Sequence, residues 1–314
     1  MRVDKFGIRE IYQTKNSGGA VQEWYFNTDN PGKDPRTGGE NPYTKFVQKN
    51  PNGSWKVRSI EVRYGILTSS GYRPNLITTF NQTQLATKGY MQSPNDWKNV
   101  EMTGYFKVNH FTSSTHNGAA HIELLARGGR NTNELPKQCE ATTYHSNTYE
   151  TGRVKFEKDL MHITGYTSNS TDPQKKQAIP KLDRKWVGIK AVFYNLSNGK
   201  GVKLEQWIDQ DASNTWHKVL EFIDNGDWGG GHPNCGGTDH TIITWGGPIA
   251  IFRWDNIDDM DIKDLSIREI QDPPVAAYSS FNTPAIYVLT DILVVIVILM
   301  IYLAISKFKD YSVF

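Results

Sequence analysis

The sequence predicts an all-β protein, a two-sheet antiparallel jelly-roll sandwich followed by a single C-terminal transmembrane helix. Three observations carry that expectation. Apolar residues recur with the strand period of two along most of the chain. The 27 glycines and 14 prolines cut these runs into short pieces joined by turns. Helical periodicity is missing until an apolar run close to the C-terminus. No unit recurs at a fixed spacing, which favours a sandwich or jelly roll over a propeller.

The clearest local signal is Trp186 to Asp209, where two alternating runs flank Asn198-Gly199. That dipeptide suits the positive φ of a type I′ hairpin turn. Closing the chain there pairs Phe193 with Leu204 and Ile189 with Ile208 on one face, and Tyr194 with Lys203 and Lys190 with Trp207 on the other. A slip of one residue would scramble both faces. Val187, Ile189, Ala191, Phe193, Val202, Leu204 and Ile208 form a core face, on which Gln206 needs a buried partner. Lys190, Tyr194, Lys203, Glu205 and Trp207 form the opposite face, where charges interleaved with rings suggest an open binding surface.

Ahead of this hairpin, strands are expected around Glu23–Phe26, over Trp55–Leu67, around Leu76–Phe80 and over Trp97–Phe111. The polar stretch from Asn27 to Asn52 reads as a long surface loop. Residues 1–52 thus form an N-terminal extension of strands and loop on a β-domain spanning 1–271. His121–Gly128 turns Ile122, Leu124 and Ala126 to one side and His121, Glu123, Leu125 and Arg127 to the other. A loop leads through Tyr144-His145 to further strands at Arg153–His162, His217–Ile223, Pro248–Trp254 and Ile262–Ile270.

Ile292–Ile305 is unbroken apolar sequence, and the segment 285–306 is long enough to cross a hydrocarbon layer of ~30 Å. Residues 272–284 form a short stalk and 307–314 a short basic tail. Lys307 and Lys309 place that tail in the cytoplasm and the β-domain outside the cell, as a single-pass membrane protein. Asp291 is expected near the outer headgroups. Met1 to Glu10 has no apolar core, so it is not a signal peptide as it stands. An extracellular domain favours a disulfide between Cys139 and Cys235.

The formal charge of +2, with no basic stripe, excludes nucleic acid as a partner. Neither His-Glu-x-x-His nor Cys-x-x-Cys is present, so no metal ligand set is predicted. No Gly-x-Ser-x-Gly elbow and no phosphate loop occur either. No cofactor is expected, although acidic groups at Asp209–Asp211, Asp224–Asp227 and Asp255–Asp261 offer the hard oxygens that structural calcium uses. They match no complete loop motif. Paired-acid glycoside hydrolysis needs two carboxyls about 5–9 Å apart; Glu123 and Glu205 lie on polar strand faces and could approach each other, but no compact Glu-x-Asp-x-x-Glu strand occurs.

Trp97 to Ile270 resembles the concanavalin-A-like jelly rolls, closest in texture to the alginate-lyase-like branch. The resemblance rests on the strand Arg153–His162, the hairpin Trp186–Asp209, and Ile251-Phe252-Arg253-Trp254-Asp255-Asn256 before a closing Asp264–Ile270. It implies two curved sheets with a glycan groove on the concave one, holding Arg, Gln, His and Tyr on three strands. The Gln-x-His strand falls on Leu160-Met161-His162, which keeps the histidine and loses the glutamine. The Arg-x-Glu-x-Arg strand falls on His121 to Leu125, which keeps Glu123 and loses both arginines, with Arg127 close by. The tyrosine-bearing strand falls on Ile251 to Ile257 and lacks its proton-shuttling tyrosine, for which Tyr194 would have to substitute.

These readings predict a membrane-anchored surface protein whose jelly-roll domain binds a polysaccharide or surface glycan. Trp207, Tyr194, Trp254 and Tyr105 would stack on sugar faces, while Lys190, Lys203, Arg253, Glu205 and Glu123 would engage hydroxyls or carboxylates. The rival is a polysaccharide lyase or glycoside hydrolase using His162, Tyr194 or Tyr144, and Arg127 or Arg253. A third reading is a structural envelope or coat component that self-associates laterally.

Overall fold

The computed structural model describes residues 2–16, 22–37, 46–68, 96–112, 119–128, 142–160, 176–229 and 239–272. The chain divides into two units, Met1–Pro273 and Pro274–Phe314, and every described residue belongs to the first. The strand expected at Leu76–Phe80, His162, both cysteines of the expected Cys139–Cys235 disulfide, and the expected anchor 285–306 all lie outside the described residues. No helix among the described residues is long and apolar enough to cross a membrane.

Fourteen strands lie among the described residues. The first five are β1 (Glu23–Tyr25), β2 (Phe46–Lys49), β3 (Trp55–Val57), β4 (Glu61–Leu67) and β5 (Val100–Phe111). Next come β6 (His121–Gly128), β7 (Thr143–Tyr149), β8 (Arg153–Asp159) and β9 (Lys176–Gln177). The last are β10 (Trp186–Asn195), β11 (Val202–Asp209), β12 (His217–Asp224), β13 (Ile249–Asp255) and β14 (Ile257–Glu269). They build two antiparallel sheets. The larger runs β12-β11-β10-β5-β14-β3-β2, with β1 also paired to β14, and the smaller runs β4-β13-β6-β7-β8-β9. Because β5 lies beside β14 in one sheet and β6 beside β13 in the other, the two halves of the chain run back along each other as a ribbon wound across both sheets. That winding is a jelly roll, the architecture that the resemblance implied.

The hairpin of β10 and β11 adopts the register that the sequence predicts: Phe193 opposite Leu204, Ile189 opposite Ile208, Tyr194 opposite Lys203 and Lys190 opposite Trp207. Its turn differs from the expected type I′. Gly199 is left-handed at φ +67° and donates its N–H to Leu196 O at 2.9 Å, whereas Asn198 keeps a negative φ. One left-handed residue is enough here, because the Asn198 side chain accepts the Lys200 N–H at 2.9 Å and holds the loop from outside.

All seven predicted core residues of this hairpin are buried in the main cluster, facing Ile122, Leu124, Ala126, Phe252 and Trp254 of the small sheet. Gln206 finds its partner across the sandwich, donating to Thr148 Oγ1 at 2.7 Å. The last two strands meet at Asn256, whose left-handed φ of 57° passes the chain from one sheet to the other. β14 starts at Ile257, earlier than predicted, inside the acidic stretch read as a turn. Cross-strand cations explain the difference: Lys56 sits 2.8 Å from Asp259 and 3.0 Å from Asp261, so charge there is paired along the strand.

Gly247 and Gly128 touch backbone to backbone beside this core, and a Cβ built on Gly247 would lie 2.2 Å from Gly128 N. Gly247→Ala is therefore expected to destabilise the domain by about 3 kcal/mol in a denaturant titration.

Glu269 accepts the N–H groups of Lys98 (3.0 Å) and Asn99 (2.8 Å) at the end of β14, and burial pushes its carboxyl from 4.5 up to about 7. The folded state holds this proton more tightly than the unfolded state does. Its contribution is therefore intact below the ordinary carboxyl value and is lost as pH rises toward 7, by on the order of 3 kcal/mol. Glu269→Gln, whose amide NH2 would face one of the two N–H groups, is expected to melt below the wild type at pH 4.5 but to lose less stability than the wild type between pH 4.5 and pH 8 in thermal melts.

Candidate functional site

The pleat divides the predicted binding residues between two outward faces that point away from each other. Lys190, Tyr194, Lys203, Glu205 and Trp207 project from the large sheet, on the side opposite Ile189 and Phe193. Glu123 and Arg253 project from the small sheet, opposite each other on β6 and β13. Trp254 joins neither set: it is fully buried in the core between the sheets, so the expectation that it stacks on a sugar is corrected. Strand alternation makes this unavoidable, since Arg253 and Trp254 are adjacent and must face opposite ways.

The expected open face of the large sheet is also corrected, because residues 2–16 lie across it. Ile11 and Tyr12 donate their backbone N–H groups to Glu101 of β5, Thr14 bridges to Ile270, and Asn214 holds the N–H of Arg9 at 2.8 Å. Underneath, Glu101 binds Lys190 Nζ at 2.8 Å and Arg268 Nη2 at 2.7 Å. Burial alone would raise the Glu101 carboxyl, but these two cations outweigh it and hold the group below its usual range. Lys190 is fully buried, with Thr103 Oγ1 at 2.8 Å and the Trp216 ring below its ammonium. Glu205 is buried too, accepting hydrogen bonds from Tyr12 and Trp207. Tyr105, also expected to stack, is buried against Trp216 with its hydroxyl on Asp209. Tyr194, Lys203 and Trp207 remain half-buried at the margin.

Among the described residues of the rival reading, Arg127, Tyr144 and Tyr194 do not converge. Arg127 lies at a β-bulge in left-handed conformation, φ 72°, where two residues of β6 face one of β13. The bulge turns its side chain inward, onto Asn195 Oδ1 at 2.6 Å, Ile243 O at 2.9 Å and Asn99 Oδ1 at 2.9 Å. Tyr144 is a core residue stacked on Trp228, with its hydroxyl donated to Asp224 at 2.5 Å. Tyr194 belongs to the other sheet from Glu123, so it cannot replace the missing proton-shuttling tyrosine.

What the fold does bring together is a line of titratable groups on the outward face of the small sheet. His121 Nε2 lies 2.5 Å from Glu123 Oε1, His145 Nδ1 lies 3.0 Å from Glu123 Oε2, and His145 Nε2 lies 2.9 Å from Asp159 Oδ2. Arg253 reaches Asp255 Oδ2 at 2.5 Å and Glu123 Oε2 at 3.5 Å. All six are buried. Register explains the meeting: Glu123 sits between Arg253 and Asn147 on its flanking strands, and His145 is the diagonal neighbour. Beside this line runs an aliphatic strip of Leu67, Leu125, Ile249 and Ile251. Tyr149, half-buried, closes the other end with its ring 5.3 Å from that of His121.

Burial would push the His145 imidazole down, but Asp159 and Glu123 outweigh it and raise it to about 10, so it carries both protons at neutral pH. Glu123 is held well below the carboxylate range, because the charges of Arg253 and His121 overcome the effect of burial. The line is a closed set of ion pairs rather than a base waiting for a proton.

No protein-family model matches the chain, and none of the curated proteins matches it. Among solved structures it is similar to the alginate lyase Aly36B, at 11% identity and TM-score 0.40, over 84% of this chain and 98% of that one. It is similar to arcelin-5, a lectin-like defense protein from Phaseolus vulgaris, at 10% identity and TM-score 0.38, over 79% and 98%. A protein of unknown function with a galectin-like fold from Bacillus subtilis overlaps at 11% identity and TM-score 0.40, over 84% and 100%. Likeness at this level concerns strand layout and transfers no residue or activity.

His145 and Asp159 carry the centre of the line, and neither was a candidate in the sequence. β7 reads Thr-Tyr-His-Ser-Asn-Thr-Tyr, without apolar alternation, so it passes for a loop. Its threonines and tyrosines are nonetheless strand-favouring, and that was the available signal. The acidic clusters considered for calcium are engaged by protein donors: Asp209 by Tyr105 and Asn214, Asp224 by Tyr144 and Lys158, Asp259 and Asp261 by Lys56.

Removing one partner of a buried ion pair leaves an uncompensated charge. Lys190→Met, which strips Glu101 of one of its two cations, is expected to cost about 3 kcal/mol in stability by chemical denaturation.

Proposed function

We propose that this jelly-roll domain is a glycan-binding module that takes its ligand on the outward face of the small sheet. One observation carries the reading. That face sets a line of charged and imidazole groups beside an aliphatic strip, with Tyr149 at its edge. A sugar has the same two-sided chemistry, hydroxyl edges and C–H faces, and rings with convergent polar groups suit it. Residues 2–16 cover the polar face of the large sheet, whereas on the small sheet the charged line is buried and a ligand would meet the face along its edge, at half-buried Tyr149 and Leu67.

Binding without cleavage fits the protonation states. Elimination or hydrolysis calls for a group that accepts a proton near neutral pH. His145 keeps both protons, Glu123 is a weak base, and the Tyr149 phenol is pushed up to about 12, chiefly by burial. The apolar segment 285–306 would hold the module at a membrane with the β-domain outside, an arrangement supported by the apolar run and by Lys307 and Lys309.

A glycan array with neutral and acidic polysaccharides tests the proposal. Tyr149→Ala is expected to weaken binding about tenfold, the scale of one lost ring contact, while Trp207→Ala on the other sheet leaves it unchanged. An array without hits on folded protein would replace this reading with the structural coat. Absorbance from newly formed unsaturated uronate, lost in His145→Ala, would replace it with a lyase.

A further inference from the structure

The geometry points to a divalent metal site formed by His121, Glu123 and Asp255, of the class that a zinc ion occupies. The three residues each offer one ligand atom, all within 4.8 Å of one another, and all three are buried. They come from two adjacent strands of the small sheet: His121 pairs with Asp255 across β6 and β13, and Glu123 follows two residues along the same outward face.

The hydrogen bonds around the imidazole select this chemistry. His121 Nδ1 lies 2.6 Å from Ala119 O, a backbone acceptor, so Nδ1 carries a proton. Nε2 is then left facing Glu123 Oε1 at 2.5 Å. At that distance the two atoms share a proton; a divalent ion would take the proton's place with Nε2 and Oε1 moved to about 3 Å apart, the separation that two ligands have around zinc. A backbone carbonyl on the far ring nitrogen is the support that ligating histidines usually have.

Asp255 separates the two choices. Its Oδ2 lies 2.5 Å from Arg253 and 3.7 Å from His121 Nε2, while its Oδ1 is buried with no hydrogen-bond partner. A buried carboxylate oxygen without a partner is costly. A proton on His121 satisfies Nε2 and Glu123 and leaves that oxygen as it is. A divalent ion can take all three ligands, since the terminal torsion of an aspartate is broad and lets either oxygen turn toward it. One nitrogen and two carboxylate oxygens suit zinc better than calcium, which prefers an all-oxygen shell. Three protein ligands leave a coordination position open, as in catalytic zinc sites. The inference stands on these contacts alone and does not require the glycan reading.

Calorimetric titration of chelator-treated protein with Zn2+ tests it, with far-UV circular dichroism as the check on folding. The expected result is one ion per chain, bound at least tenfold more weakly by His121→Ala and by Asp255→Asn, and unchanged by Glu221→Gln on the large sheet. Asp255→Asn keeps the shape of the side chain, so the test survives if His121→Ala fails to fold. Wild-type protein that is folded yet takes up no Zn2+ in a saturable way overturns the site, as does binding that both variants retain. Running the glycan array on chelator-treated protein keeps the two questions apart: glycan binding with no Zn2+ uptake sinks the metal site alone.

Discussion

The carboxylate of Glu101 is where the two ends of this domain are tied to its middle. It receives Lys190 from β10, Arg268 from β14, and the backbone N–H groups of Ile11 and Tyr12 from the N-terminal segment. Three pieces of chain remote in sequence are thereby fixed to one buried charge on β5. Such a group is stable only when every donor is in place, because an ion taken out of water loses several kcal/mol of hydration that its partners must replace. The segment therefore acts as part of the sheet it covers. It adds a second small core of Ile8, Tyr105 and Trp216 on a face that strand alternation alone would leave wet.

Both outward faces of the sandwich follow one plan, a polar network closed on itself and removed from solvent. On the large sheet the network is centred on an acid flanked by two permanent cations. On the small sheet it is centred on an acid flanked by two imidazoles, groups whose protonation and metal affinity respond to their surroundings. The first arrangement suits a fastening and the second suits chemistry. This difference, rather than the number of aromatic rings, separates the structural face from the candidate site. The bulge at Arg127 has a part in it: that guanidinium turns inward, and Arg253 is the guanidinium that reaches Glu123.

Much of this was legible in the residue order. The strand period, the register of β10 with β11 and the core face follow from local alternation, which the pleat enforces. The identity of Glu123 as a polar-face residue was equally plain. The partners were not. Whether Lys190 lies open depends on a segment far away in the chain, and nothing within β10 reveals a cover made by Ile8 to Thr14. His145 escaped notice because β7 has polar residues on both faces, so its period is invisible to a hydrophobicity reading. Trp254 was misplaced for a different reason. A resemblance aligns stretches of chain, but the parity of a single position decides which side of the sheet it faces.

The nested strand order also sets a timetable. Val100 on β5 is paired with Glu269 on β14, Trp24 with Ile267, and Thr14 with Ile270. A ribosome delivers the early partner of each pair long before the late one, so β5 and the N-terminal segment must wait with unsatisfied edges until the final strand emerges. Topologies dominated by such distant contacts are slow to search and prone to aggregate on the way. For this domain, yield in a heterologous host should depend less on the stability of the finished sandwich than on how well the nascent chain is chaperoned during that interval.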